Sequence, residues 1–171
     1  MNTSPSRLFF GIWPDEASRQ RLAAWQRSVP WPAGARCTPE QDLHLTLHFI
    51  GDVPAKTLQA LIDDSDLPAP LPLGFDIDQT LVWPGGLVVL TARVVPPALT
   101  SLHQALAAVL IKHGVRVETR PYAPHVTMAR KAGGRWTERL ALEPIPWVSR
   151  GYRLAARSGA HYAAVASFES S

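Results

Sequence analysis

Two tetrapeptides in this 171-residue chain repeat one pattern: His44-Leu45-Thr46-Leu47 and His125-Val126-Thr127-Met128. Side chains alternate between the faces of a β-strand, so each His and Thr share one face while the apolar pair points to the other. Each motif reads as an apolar-backed strand that presents an imidazole beside a hydroxyl. One copy would describe any strand with a surface histidine. Two copies, 81 residues apart, describe two strands that deliver matched groups to one cleft. Imidazole titrates near pH ~6.5, so one ring can be held neutral as a base and the other charged as an acid. Two such rings on opposite sides of a phosphorus meet the in-line requirement of phosphoryl transfer, with the hydroxyls placed to bind phosphoryl oxygens. The negative charge needs a cation, and Arg130 stands five residues after His125 at the end of the second strand. A guanidinium can grip two phosphate oxygens at once. The competing role for Arg130 is that of a solvated strand-end arginine, and Lys131 reads as surface.

The other titratable groups near the motifs have plainer expectations. Strict alternation puts His48 on the face of His44 and Thr46, where it either lines the groove or, as expected here, sits at an exposed strand end. Asp42 falls on the same face. It could orient His44, but a surface position at the strand start is expected. His161 borders the groove or faces solvent, and His103 and His113 are packing or helix-end residues. Six histidines raise the possibility of a metal hydrolase. The chain has no His-x-His, no HExxH and no Asp/Glu cluster beside either motif, so no metal or other cofactor is expected. The single cysteine, Cys37, excludes an internal disulfide and points to a reducing compartment.

The elements that must position these groups can be read from periodicity. Arg7–Trp13 is a buried strand, and Asp15–Ser28 a helix broken by Pro30-Trp31-Pro32. A loop runs to Gln41 before the first His strand, which Gly51-Asp52 closes. A second helix spans about Ala55–Asp64, a loop Asp63–Pro72, and then Leu73–Trp83 and Leu87–Val95 form a hairpin around Pro84-Gly85-Gly86. A third helix covers about Ala98–His113 with a buried stripe of Leu99, Leu102, Leu106, Val109 and Leu110, ended by Gly114. Val115–Val117 is a short strand and Arg120–Pro124 a loop. After the second His strand come a basic glycine turn at Lys131–Arg135 and a short helix to about Leu142. Two strands, Trp147–Ala156 and His161–Phe168, turn at Ser158-Gly159. Helix, His strand, helix, strand, strand thus occurs twice. The expected fold is α+β, a single domain over residues 1–171. It consists of two pseudo-symmetric lobes, each with an antiparallel sheet and flanking helices, around a central groove. A composition of 46% hydrophobic and 18% charged residues fits a globular chain, and the net charge of +3 is compatible with an anionic ligand. No stretch approaches the ~20 apolar residues of a membrane span. The apolar start is too short and lacks the flanks of a signal peptide. A soluble cytoplasmic monomer is expected.

HLTLHFIG and PHVTMAR resemble the two signature motifs of the 2H phosphoesterase superfamily. Within it, the chain is similar to the RNA 2′,3′-cyclic phosphodiesterases, also called 2′-5′ RNA ligases. The resemblance covers nearly the whole chain, including RLFFGIWPDE at the start and Ser158-Gly159-x-x-Tyr162 near the end. It implies metal-free hydrolysis of the 2′,3′-cyclic phosphate end of an RNA or nucleotide to a 2′-phosphate. In that scheme His44 protonates the departing 3′ oxygen and His125 activates water. Thr46, Thr127 and Arg130 hold the phosphate, and Phe49 contacts the nucleobase. It further implies reversible ligation, with a 5′-hydroxyl replacing water. Strict alternation places Phe49 on the face opposite His44, so the implied role requires the strand to twist or end there. Alternatives left open are a non-catalytic nucleotide- or RNA-binding module, and a cyclic phosphodiesterase for ADP-ribose 1″,2″-cyclic phosphate or 2′-5′ oligonucleotides.

Overall fold

The computed structural model describes residues 6–67, 72–133 and 140–169. The chain order is β1 (Leu8–Ile12), α1 (Glu16–Ser28), β2 (Arg36–Cys37), a 3-10 turn (Glu40–Asp42), β3 (Leu45–Gly51), α2 (Ala55–Asp64), β4 (Leu73–Ile77), β5 (Gln79–Trp83), β6 (Leu87–Thr91), α3 (Pro97–Lys112), β7 (His125–Arg130), β8 (Ile145–Ser149), β9 (Gly151–Ser158) and β10 (His161–Glu169). Among the described residues, antiparallel strands form one large sheet in the order β10-β9-β1-β3-β7-β6-β5, with β2 also paired to β7. The two His strands are central neighbours, yet they share a single register pair, Leu45↔Val126. Farther along β7, β2 takes over that edge through Arg36↔Arg130 and Cys37↔Ala129. The sheet therefore parts between β3 and β7, and that parting opens the groove.

The lobes are not the two halves of the chain. The β9–β10 hairpin from the second half lies against β1 and so completes the His44 side. The β5–β6 hairpin from the first half lies against β7 and completes the His125 side. Two of the expected long strands are each two strands. Leu73–Trp83 breaks at Asp78 and Trp147–Ala156 breaks at Arg150. The two leading pieces, β4 and β8, pair with each other in a separate ladder from Leu73↔Ser149 to Ile77↔Ile145. The breaks are where each chain leaves one ladder for another. Both pieces are apolar, so no change of pattern marks the switch.

Smaller differences have local causes. The strand expected to Val95 ends at Thr91, where Asp78 accepts the Arg93 N–H at 2.9 Å and bends the chain away. Val115–Val117 joins no strand ladder among the described residues; the Val115 N–H donates instead to the Leu110 carbonyl at 2.9 Å. The loop before the first motif contains β2 and the 3-10 turn. Most of the helix expected before Leu142 lies outside the described residues. The helices match their periodicity. α1 is capped by Asp15, whose carboxylate accepts the Ser18 N–H at 2.9 Å, and α3 buries Leu99, Leu102, Leu106, Val109 and Leu110. These residues join Phe10, Leu45, Leu47, Val126 and Met128 in the main core, so the apolar backs of both motifs rest on one packed layer.

Candidate active site

Each motif strand carries a register shift at the same place. Gly11 pairs with Thr46 but Phe10 with His48, leaving Leu47 as the extra residue of β3. Val89 pairs with Thr127 but Val88 with Ala129, leaving Met128 as the extra residue of β7. A bulge inverts the alternation beyond it. Leu47 and His48 are therefore consecutive buried residues, at 3% and 4% exposure, and Phe49 returns to the groove face at 76%. Met128 and Ala129 are likewise both buried, and Arg130 returns to the exposed face. Phe49 and Arg130 thus occupy equivalent positions, each five residues after its histidine. The expectation that Phe49 lies opposite His44 is overturned by the bulge, as is the expectation that His48 is exposed.

His44, immediately before β3, is half-buried, and its orientation is set by hydrogen bonds. Its Nδ1–H donates to the Asp42 carbonyl at 2.6 Å, which leaves Nε2 facing the Thr46 hydroxyl at 3.0 Å. His125 repeats the arrangement, with Nδ1–H donating to the Ala123 carbonyl at 2.8 Å. A carbonyl only accepts, so both rings carry their proton on Nδ1 when neutral, and Nε2 is the nitrogen available for chemistry. Trp13 stacks on His44 with ring centroids 5.0 Å apart, while Phe9 and Tyr162 flank it at 5.0 and 5.3 Å. Trp83 meets His125 edge-on at 4.5 Å. Gly11 permits this packing, because a Cβ there would lie 3.1 Å from the Trp13 ring and 3.2 Å from that of Phe9.

Burial pushes the pKa of His44 below its ordinary value, the Asp42 carbonyl opposes this, and positive charge on His125 and Arg130 adds to the lowering. Burial lowers that of His125 as well, again with Arg130 contributing. The charges of His125 and Arg130 thus act on His44, and that of Arg130 on His125, each disfavouring the charged ring.

Asp42 is buried, at 4% exposure, and is not a surface residue. Its carboxylate accepts from His161 Nδ1 at 2.9 Å and from the Tyr162 N–H at 3.1 Å, which ties the 3-10 turn to the β9–β10 hairpin. It orients His44 through its backbone carbonyl, not its side chain. His161 is thereby a partner of this turn.

On the opposite face, His48 Nε2–H donates to the His103 carbonyl at 2.7 Å and its ring stacks on that of His103 at 4.0 Å. His103 stacks in turn on Tyr122 at 3.9 Å, and burial together with neighbouring His48 pushes the His103 pKa down to about 4. Tyr122 donates its hydroxyl to the Thr46 carbonyl at 3.0 Å. With one register pair between β3 and β7, this bond is a second tie between the segments carrying the two histidines.

A cavity of about 280 Å³ opens beside His44, lined also by Thr127, Arg130, Arg36, Cys37, Arg157 and Tyr162. Thr46, His125 and Phe49 lie outside that lining. β7 stops at Arg130 because Lys131 turns to φ 55° and the next residue, Ala132, donates its N–H to the Gly86 carbonyl at 2.9 Å. Gly86 has φ 73°, and a Cβ there would lie 2.4 Å from the Gly133 nitrogen, so only glycine allows the hairpin to anchor this end. Arg36 and Arg157 were not singled out from sequence. Tyr162 was legible only through its place after Ser158-Gly159. No group of three or more His, Cys, Asp or Glu side chains able to hold a metal occurs among the described residues, and no helix among them is long and apolar enough to cross a membrane.

Antiparallel sheets split by a groove with paired histidines define a two-histidine phosphoesterase fold. Escherichia coli LigT, solved with 3′-AMP, matches with a TM-score of 0.87 at 26% identity over 97% of this chain and 98% of that one. In sequence, the chain is 30% identical to the Escherichia coli (strain K12) RNA 2′,3′-cyclic phosphodiesterase over 131 residues, 76% of this chain and 74% of that protein. It is 30% identical over 105 residues to a protein of the same name from Geobacillus stearothermophilus, covering 56% of this chain and 32% of the other. The LigT-like phosphoesterase pattern matches residues 12–87. The chain belongs to the LigT-like phosphoesterase family.

Proposed function

We propose that the protein hydrolyses the 2′,3′-cyclic phosphate at the end of an RNA or nucleotide to a 2′-phosphate, with His44 as general acid and His125 as general base. The observation that carries this reading is the matched pair of imidazoles, each fixed through Nδ1 by the carbonyl two residues before it. Water gives a proton to His125 Nε2 and attacks phosphorus, while the P–O3′ bond breaks and His44 Nε2–H protonates O3′. The two rings then hold each other's starting protonation state and reset through solvent. Thr46, Thr127 and Arg130 bind the phosphoryl oxygens, and Phe49, exposed on the groove face, offers its ring to the base. Replacing water by a 5′-hydroxyl would make the same geometry a ligase. We further infer a cytoplasmic monomer, consistent with the lone exposed thiol of Cys37. Separating the 2′ and 3′ monophosphates formed from a cyclic nucleotide tests the assignment. The 2′ product is expected to dominate. A dominant 3′ product would exchange the roles of His44 and His125.

Tyr122 provides a second test. Tyr122→Phe keeps the ring stack on His103 and removes only the bond to the Thr46 carbonyl. Losing this bond should cost roughly 0.5–1.5 kcal/mol of stability, and kcat should fall with KM little changed. A wild-type kcat would show that the tie does not hold the histidines in register.

A further inference from the structure

The cavity beside His44 holds more positive charge than a cyclic phosphodiester, with its single negative charge, requires. Arg36, Arg130 and Arg157 all line it. None of the three forms an ion pair with a carboxylate among the described residues. The acid in the lining, Asp42, is already bonded to His161 and to the Tyr162 N–H. Arg36 and Arg130 face each other in register on β2 and β7. Arg157 comes from β9, on the far side of β1 and β3. Tyr162 neighbours both Arg157 and the reacting groups: its ring is 5.3 Å from that of His44, and the Arg157 guanidinium lies over it 5.8 Å from its centroid. Arg157 therefore lines the cavity of His44, with one aromatic ring in contact with both. A guanidinium stacked on an aromatic face is partly pre-organised and keeps its N–H edge free to donate.

We propose that Arg157 is a second phosphate-binding group, taking the phosphate on the 5′ oxygen of the nucleotide whose cyclic phosphate lies between His44 and His125. This rests on the reading of the site given above and narrows its substrate. The ligand is a ribose bearing phosphate at both ends, which in RNA is the terminal residue of a chain. A cyclic nucleoside monophosphate without a 5′ phosphate fills only half of the site.

The test is a ratio. Turnover is measured on adenosine 2′,3′-cyclic phosphate and on a dinucleotide ending in the same group. In parallel, calorimetry compares 2′-AMP with adenosine 2′,5′-bisphosphate. Wild-type protein should favour the doubly phosphorylated member of each pair about 10-fold, the usual worth of a charge-assisted hydrogen bond. Arg157→Gln should bring both ratios close to unity, and Arg157→Lys should restore part of them. Wild-type ratios near unity overturn the proposal. So does an Arg157→Gln variant that keeps the ratios, whether or not it weakens both ligands alike. Absence of turnover on either cyclic substrate, with the calorimetric ratio present and lost in Arg157→Gln, would sink the hydrolase reading and leave the second phosphate site standing.

Discussion

Replacing His44 or His125 with alanine should lower kcat by roughly 10²–10⁴-fold, the usual worth of a positioned acid or base. The fold should survive, because both rings are only half-buried and the apolar residues behind them carry the packing. The double variant should be far less damaged than the product of the singles, since each ring depends on the other's protonation state. Turnover near wild type in either single variant would remove that histidine from the mechanism. The pH profile adds a signed expectation. Burial, chiefly, lowers both histidine pKa values from 6.5, and Arg130 adds to the effect in each case. The kcat/KM profile reports the free protein, so its bell, one limb per histidine, should be centred below the ordinary imidazole value. A bound phosphate anion favours the charged rings and raises both pKa values, so the bell for kcat should lie at higher pH. A kcat/KM optimum above about pH 7.5 would contradict this ordering.

Arg130→Ala should reduce kcat/KM by roughly 10²–10³-fold, the scale seen when a group that stabilises developing charge is removed. Arg130→Lys should recover only part of that loss, because an ammonium is a point charge without the planar fork that binds two oxygens. Arg130 has no carboxylate partner among the described residues, so its removal leaves no acid unpaired there and the variant should fold normally. Its effect should therefore be confined to turnover, with thermal denaturation unchanged. A lysine variant with full kcat/KM would make Arg130 a general electrostatic attractor. Removing Arg130 also lifts positive charge from beside both histidines, so the kcat/KM bell should move to higher pH in the alanine variant.

The amino-acid sequence by itself determined the paired His-x-Thr motifs, the span of α2 and the buried stripe of α3. These depend on periodicities of two or about 3.6 residues, which are local properties of the chain. It did not determine which face Phe49 and Arg130 would occupy. Each lies an odd number of residues after its histidine, and strict alternation sends both away from the groove. Only the register of β3 against β1, and of β7 against β6, makes Leu47 and Met128 extra residues and brings Phe49 and Arg130 back. The same limit hid the breaks at Asp78 and Arg150, where apolar chain passes from one ladder to another without a change of pattern. His48 read as exposed because alternation cannot register the bulge that turns it onto His103. The positive cavity was least legible of all. Arg36, Arg130 and Arg157 come from strands far apart in the chain, and only the exchange of hairpins between the halves sets β9 beside β1 and lets the three meet. Local patterning decided which groups could do chemistry, and long-range strand pairing decided which of them face one another, because pairing energy is set by partners that no local window contains.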